Sequence, residues 1–250
     1  MTRPAPDWFA DEAFWEALYP FLFSEAARAG ALADVAAIKA LVGRPVTTIL
    51  DLCCGPGRHS VAFAKQGSRV TGVDRSPFLL DRAREYAAQE DVDVRWVQDD
   101  MREYIEPGTF DCAVNLFTSF GYFDDPADNR RVLANVHASL VPGGVFVLDL
   151  AGKEVAARLY QPCGTQELPD GSVLVQRRKV IDDWARMEND WSILRNGRVQ
   201  SFRFRHWLYS AVELRELVSS VGFVDIEVFG RLAGSPYDAG ADRLVIRAYR

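Results

Sequence analysis

Three acids set around a glycine turn are the residues through which this sequence can be read for chemistry. The turn lies in Thr47–Ser60, TTILDLCCGPGRHS. Ile49, Leu50 and Leu52 form the apolar run of a buried strand, with Asp51 near its end and Cys53 and Cys54 read as its last neighbours. Gly55-Pro56-Gly57 breaks any regular element, and Arg58-His59-Ser60 leads into a helix at Val61-Ala62-Phe63-Ala64. A residue without a Cβ bends sharply and lets a ligand come close to the main chain. Strand, tight turn and helix together open a nucleotide-binding α/β unit. The dinucleotide fingerprint asks for a third glycine where Ser60 stands, and no Gly-Lys-Ser/Thr ending makes a P-loop. The turn alone leaves a nicotinamide dinucleotide, another nucleoside cofactor or a plain bend open. The second acid, Asp74, ends the strand Arg69–Asp74, 17 residues beyond Gly57. At the carboxyl end of a neighbouring parallel strand it can accept both hydroxyls of a ribose. Otherwise it caps the helix that Ser76-Pro77 begins. The third acid, Asp99, follows the strand Val92–Val97 and is joined by Asp100 and Met101.

Asp51-x-Cys53-x-Gly55-x-Gly57 resembles motif I of the class I S-adenosylmethionine (SAM)-dependent methyltransferases, with small Cys53 in place of the first glycine. The resemblance extends to Gln98-Asp99-Asp100-Met101 as the adenine motif and to Phe110-Asp111 as the approach to motif IV. Leu140-x-Pro142-Gly143-Gly144, before a strand ending Asp149-Leu150, is a further signature in the expected order. It implies SAM contacts at Asp51, Cys53, Cys54, Gly55, Pro56 and Gly57, with Arg58 meeting the methionyl carboxylate. Asp74, with Arg75 and Ser76 beside it, would hold the ribose. Asp99 would take the exocyclic amine with help from Asp100, and Met101 would flank the ring. Asn115, Leu116 and Phe117 would line the reaction site. Asn115-Leu116-Phe117-Thr118 lacks the paired prolines of the N6-adenine enzymes, which argues against DNA as acceptor. The aromatic, Ser/Gly-rich run that follows is similar to small-molecule enzymes of the sugar and glycine N-methyltransferase type.

The fold so implied is α/β: a Rossmann-like, seven-stranded, mostly parallel sheet with an antiparallel last strand and helices on both faces. To it are added a small antiparallel β insert and an N-terminal helical cap. The expected division is 1–45 for the cap or lid, 46–160 for the SAM-binding core, 161–209 for the insert and 210–250 for the end of the core. The implied reaction moves a methyl group to nitrogen or oxygen of a small molecule by in-line displacement. A SAM-binding protein without catalysis, or an NAD(P)-dependent oxidoreductase, remains as an alternative. Such a displacement asks for no metal and for a base only if the acceptor arrives protonated; His206, Tyr122, Tyr209 and His137 are the candidates. His59 is assigned to helix packing.

The elements that must position these residues are visible in the patterning. Trp8 to Phe23 is dense in aromatics; Phe14 and Leu18, like Trp15 and Tyr19, share a helix face and need a surface to cover. Tyr19 is the candidate contact from this lid to the cofactor. A second helix is read over Ala31–Leu41, stopped by Gly43 and Pro45. Helices over Pro77–Gln89 and from Asp125-Pro126 to Leu140 carry their own start signals. Leu174–Val180, Arg186–Leu194 and Val199–Leu208 read as three strands of the insert, with Asn196-Gly197 a hairpin turn. Alternation places Phe202, Phe204 and His206 on one side. Ser210 and Glu213 make a capping box, and Phe223–Phe229 and Arg243–Tyr249 close the sheet.

Composition sets the outer limits. A chain of 250 residues with 48% apolar residues can bury a full core. A net charge of −6 speaks against a general nucleic-acid binder. No run of 18 apolar residues suggests a membrane span, and the polar start MTRPAPDWFADE is no signal peptide. Cys53, Cys54, Cys112 and Cys163 make no metal or disulfide pattern, which fits a reducing cytoplasm. From Gly171 to Ser210 eight basic side chains outnumber four acidic ones, a patch suited to an anionic substrate or to a solvated strand face. A homodimer through the insert stays open.

Overall fold

The computed structural model describes residues 7–250. The start of the expected cap, residues 1–6, lies outside the described residues.

The main sheet has seven strands in the order β10-β11-β5-β4-β1-β2-β3. These are β1 (Thr48–Leu52), β2 (Arg69–Asp74), β3 (Arg95–Gln98), β4 (Phe110–Asn115), β5 (Leu140–Leu150), β10 (Val224–Phe229) and β11 (Leu244–Tyr249). β1 pairs in parallel with both β2 and β4, whereas β11 runs antiparallel to both β5 and β10. The strand order reverses at β1, so the crevice beyond its carboxyl end is the place where this topology binds ligands.

Period-two alternation along the central strands builds two separate cores. Leu50, Leu52, Ala113, Phe146 and Leu148 face α5 (Pro126–Ser139) and α7 (Ala211–Ser219). Ile49, Cys112, Val114, Val145 and Val147 face α2 (Glu25–Val42) and α3 (Arg58–Lys65). A sheet buried on both faces therefore reads as continuous apolar runs. The helix starts follow from local chemistry: Ser76 and Asp125 accept from backbone amides of the first turns of α4 (Pro77–Gln89) and α5, and Ser210 with Glu213 forms the capping box of α7.

The insert differs from the three strands expected. β7 (Val173–Ile181), β8 (Arg186–Arg195) and β9 (Arg198–Trp207) are joined by β6 (Cys163–Glu167), which pairs antiparallel with β7. The sequence CGTQE is mostly exposed and carries no apolar alternation to mark it. A short helix, α6 (Lys153–Arg158), links the two sheets. The inner face of the insert sheet presents Leu174, Ile193 and Phe202 to α1 (Glu12–Leu22), whose Phe14 and Leu18 are buried there. Half of the basic patch is paired: Arg186, Arg195, Arg203 and Arg205 each meet a carboxylate. This weakens the reading of the patch as an anion trap. Among the described residues no helix is long and apolar enough to cross a membrane.

Candidate active site

The carboxyl ends of β1, β2, β3 and β4 open into a cavity of about 360 Å³. Its floor is the glycine turn and its roof is aromatic: Trp8, Phe9, Phe14, Trp15 and Phe23 from the N-terminal segment, and Trp191 and Phe204 from the insert. Of the expected cofactor residues, Asp51, Cys53, Cys54, Gly55, Pro56, Arg58, Asp74, Arg75, Asp99, Asp100, Met101, Leu116 and Phe117 line it together.

The turn begins two residues earlier than the strand pattern implied. β1 ends at Leu52, and Cys53 and Gly55 both adopt left-handed backbone. Cys53 and Cys54 are thus not strand neighbours facing opposite ways. The Cys53 Sγ lies 3.4 Å from the Met101 Sδ, tying the turn to the loop after β3. The two glycines have different reasons. A Cβ on Gly55 would come within 3.3 Å of the Phe23 ring, so the roof closes directly on the bare backbone. Gly57, at φ +78°, is absent from the cavity wall; a Cβ there would sit 2.5 Å from the Trp96 indole. Gly57 and Gly72 make the slot in which that indole packs, so the second glycine serves packing rather than ligand approach.

Asp74 is held by its surroundings. Its Oδ2 accepts the Gly55 N–H at 2.8 Å and its Oδ1 the Ser76 N–H at 3.0 Å. Burial pushes its carboxyl up to about 6, against those two bonds. Each oxygen keeps a free lone pair, and Asp74 lines the cavity. Ser76 itself is buried outside the wall; its hydroxyl caps α4 and donates to Glu12. At the next strand end the Asp99 Oδ1 accepts only the Asp100 N–H. Asp100 is fully engaged, bound by Arg102 at 2.7 and 3.0 Å and by Arg75 at 3.2 Å, and these cations hold its carboxyl below the usual range. Asp7 joins Arg75 and Arg102, and Glu12 accepts from Ser76 and the Phe78 N–H. Charge thus latches the N-terminal segment onto the same loops that carry the acids.

Opposite the acids, the Asp51 carboxylate is buried and accepts the Ser60 hydroxyl at 2.5 Å. Arg58 donates to the Ala27 carbonyl and lies 3.9 Å over the Phe117 ring. Among the described residues no carboxylate lies within salt-bridge distance of its guanidinium, and burial lowers its pKa. His59 does pack between helices, with Nε2 3.2 Å from Asp34, but it also lines the cavity and stacks on Phe117. Phe117 and Thr118 are consecutive left-handed residues. Buried Asp149 restrains them, accepting the Phe117 N–H, while Arg243 clamps Asp149 at 2.7 and 3.0 Å and donates to the Thr118 hydroxyl. Asn115 sits beneath the wall, its Nδ2 on the Leu52 carbonyl and its Oδ1 without a partner.

Several expected residues stand elsewhere. Tyr19 packs on Phe23 and Phe78 outside the wall, leaving Trp8, Phe9, Phe14, Trp15, Leu22 and Phe23 as the lid residues that line the cavity. Of the candidate bases only Tyr122 lines the cavity; burial and the neighbouring Cys53 and Asp74 raise its phenol, so it keeps its proton. His206 bonds Asn189 under the insert and is lowered to about 4 by burial. Tyr209 stacks on Phe120 and Trp207, and His137 packs against Phe223. Trp191 and Phe204 were not singled out from the sequence. Alternation alone put Phe204 on a common face with Phe202, and only the docking of α1 shows that this face turns inward.

The site presents two free acceptors at adjacent strand ends: lone pairs on Asp74 and on Asp99. The comparisons with known proteins agree. A family model described as "Methyltransferase domain" matches residues 49–144. A glycine/sarcosine N-methyltransferase from Parasynechococcus marenigrum is 30% identical over 201 residues, 77% of this chain and 68% of the relative. A ubiquinone biosynthesis O-methyltransferase from Coxiella burnetii is 32% identical over 119 residues, 47% of this chain and 49% of the relative. Among solved structures, a SAM-dependent methyltransferase from Clostridium acetobutylicum superposes with a TM-score of 0.76 over 95% of this chain and 98% of that one, at 14% identity. A glycopeptide N-methyltransferase solved with SAM is 25% identical, with a TM-score of 0.60 over 87% and 93% of the two chains. Sheet order, glycine turn, paired strand-end acids and these likenesses together place the chain in the class I SAM-dependent methyltransferases.

Proposed function

We propose that the enzyme methylates a nitrogen, or else an oxygen, of a small molecule held beneath the aromatic roof. The observation that carries this reading is Asp74: a half-buried carboxylate fixed by the Gly55 and Ser76 amides, with one lone pair left on each oxygen for a ribose diol. The relatives' names point to nitrogen first, since those covering most of this chain act on glycine and sarcosine.

SAM, when bound, supplies a methyl group already activated on a sulfonium for in-line displacement. The chain's own residues position and shield. Asp74 would hold the ribose, Asp99 the adenine amine, and Met101 the ring face. Arg58, which makes no salt bridge among the described residues, would receive the methionyl carboxylate beside the first turn of α3. The roof excludes water from the reacting centre. Tyr122 retains its proton and serves as a hydrogen-bond donor, so none of the four candidate bases takes a proton from the acceptor at this wall, and a protonated amine sheds its proton to solvent before it enters.

The test is incubation with methyl-labelled SAM and a small-molecule extract. The reading expects label in a small molecule together with an equal amount of S-adenosylhomocysteine. Tight cofactor binding with no label transferred to any small molecule would leave a sensor instead.

A further inference from the structure

We infer that Phe117 is a positioning residue for the cofactor: its ring holds the Arg58 guanidinium flat at the cavity wall, with its donors free for the amino-acid carboxylate of SAM. The inference rests on the reading of the cavity as a SAM site and deepens it. Phe117 and Thr118 both adopt left-handed backbone, at φ +57° and +66°. Residues with side chains are strained there, and such strain persists where the surroundings over-determine it, above all at functional sites. Here they do. The Phe117 N–H donates to the Asp149 carboxylate at 3.0 Å and the Thr118 N–H to the Asp149 carbonyl at 2.9 Å. The Thr118 hydroxyl in turn accepts the Ala151 N–H. Core burial does not explain the arrangement: Phe117 is 42% exposed, whereas its neighbours Leu116, Phe120 and Phe123 are 5%, 1% and 2% exposed.

What the ring does touch is Arg58. The guanidinium lies 3.9 Å over its centroid, and the His59 ring stacks on it at 5.2 Å. A guanidinium on an aromatic face is held by its flat side, while its N–H donors lie in its own plane and stay available. One of them, on Nη1, goes to the Ala27 carbonyl. Asp34, Asp51 and Asp149 stand near enough to act on the charge, yet each holds another group: His59, the Ser60 hydroxyl and Arg243. Arg58 lines the cavity, and none of its nitrogens is both sealed from solvent and without a partner. Its unbonded edge is therefore open to a ligand, and that edge matches the two oxygens of a carboxylate. Without the ring the long side chain is free to turn to Asp51 or Asp149 instead.

The test is calorimetry on the whole protein with two ligands. One is S-adenosylhomocysteine; the other is its decarboxylated analogue, which keeps the nucleoside, sulfur and amine and lacks only the carboxylate. The native chain should bind the first at least about tenfold tighter. Phe117→Leu should weaken S-adenosylhomocysteine by about tenfold and leave the analogue within about twofold. Phe117→Met provides the same comparison if the first variant fails to fold. Phe117→Tyr, which keeps the ring face, should bind both ligands within about threefold of the native chain. In an Arg58→Met background, which lacks the cation, Phe117→Leu should cost S-adenosylhomocysteine no more than about twofold further, because the ring acts through Arg58. A native chain that binds neither ligand removes the cofactor site itself, and the inference with it. A native chain that binds both alike, equal losses for both ligands in Phe117→Leu, or no loss for S-adenosylhomocysteine overturns the inference alone.

Discussion

Replacing Asp74 by asparagine isolates the group on which cofactor binding is built. The change keeps shape and removes charge. In the native chain two backbone amides and, in the proposed complex, two ribose hydroxyls all donate to this carboxylate. Hydrogen bonds to a charged acceptor are worth about 1.5–3 kcal/mol each. An amide has one acceptor oxygen, which keeps one lone pair beyond its backbone N–H, while its NH₂ opposes the second N–H and accepts nothing. Losing one ribose bond to a charged acceptor costs about 1.5–3 kcal/mol, or about ten- to a hundredfold in the Kd for S-adenosylhomocysteine. The fold should survive, because two effects offset. One backbone N–H loses its acceptor, costing about 1–3 kcal/mol. Against that, keeping ionised a carboxyl raised from 3.8 to about 6 costs about 3 kcal/mol at neutral pH, and the asparagine is spared it. Calorimetry at pH 8, with circular dichroism as control, reads both. A folded Asp74→Asn that binds S-adenosylhomocysteine within about threefold of the native chain refutes the ribose assignment.

The same carboxyl predicts a pH dependence. Between pH 3.8 and about 6 the folded chain holds a proton that the unfolded chain has released, so this group's contribution to stability falls as pH rises through that window. Protonation removes an acceptor from the ribose, so S-adenosylhomocysteine affinity should fall as pH drops below about 6; a native profile flat from pH 8 to pH 5 would contradict this. Gly57→Ala forces a side chain into left-handed backbone and against Trp96. It should cost about 2–4 kcal/mol and lower Tm by about 5–10 °C in a melting scan. Arg243→Ala strands buried Asp149 without its cation and releases Thr118. A loss of about 3–5 kcal/mol, near 10 °C in Tm, is expected, and a Tm unchanged within about 2 °C would deny the clamp.

What the sequence disclosed was whatever one strand end and its loop settle between them. Asp51, Asp74 and Asp99 each follow an apolar run, and parallel pairing brings such ends together whatever the rest of the chain does. Asp74 alone suited a nicotinamide cofactor equally; the order of the later motifs decided for SAM. Residues whose role depends on a distant partner were less legible. Gly57 reads as a ligand-facing glycine until Trp96, on another strand, is seen filling its space. Tyr19 and Trp15 share one helix face, and only the fit of α1 on the insert turns Trp15 towards the cavity and leaves Tyr19 at its edge. β6 escaped notice because an edge strand exposed on both faces needs no apolar pattern. The clamp from Arg243 to Asp149 joins residues 94 apart in the chain and left no local trace.

The central claim is that the crevice at the β1 switch point holds the methyl donor, with its ribose on Asp74 and its reactive end towards the aromatic roof. A crystal structure of the protein with S-adenosylhomocysteine tests it most directly. The account predicts density across Cys53–Gly55, both ribose hydroxyls within about 3 Å of the Asp74 oxygens, the adenine amine at Asp99 and the sulfur facing Tyr122. Density elsewhere, or a ribose that leaves Asp74 untouched, would contradict it.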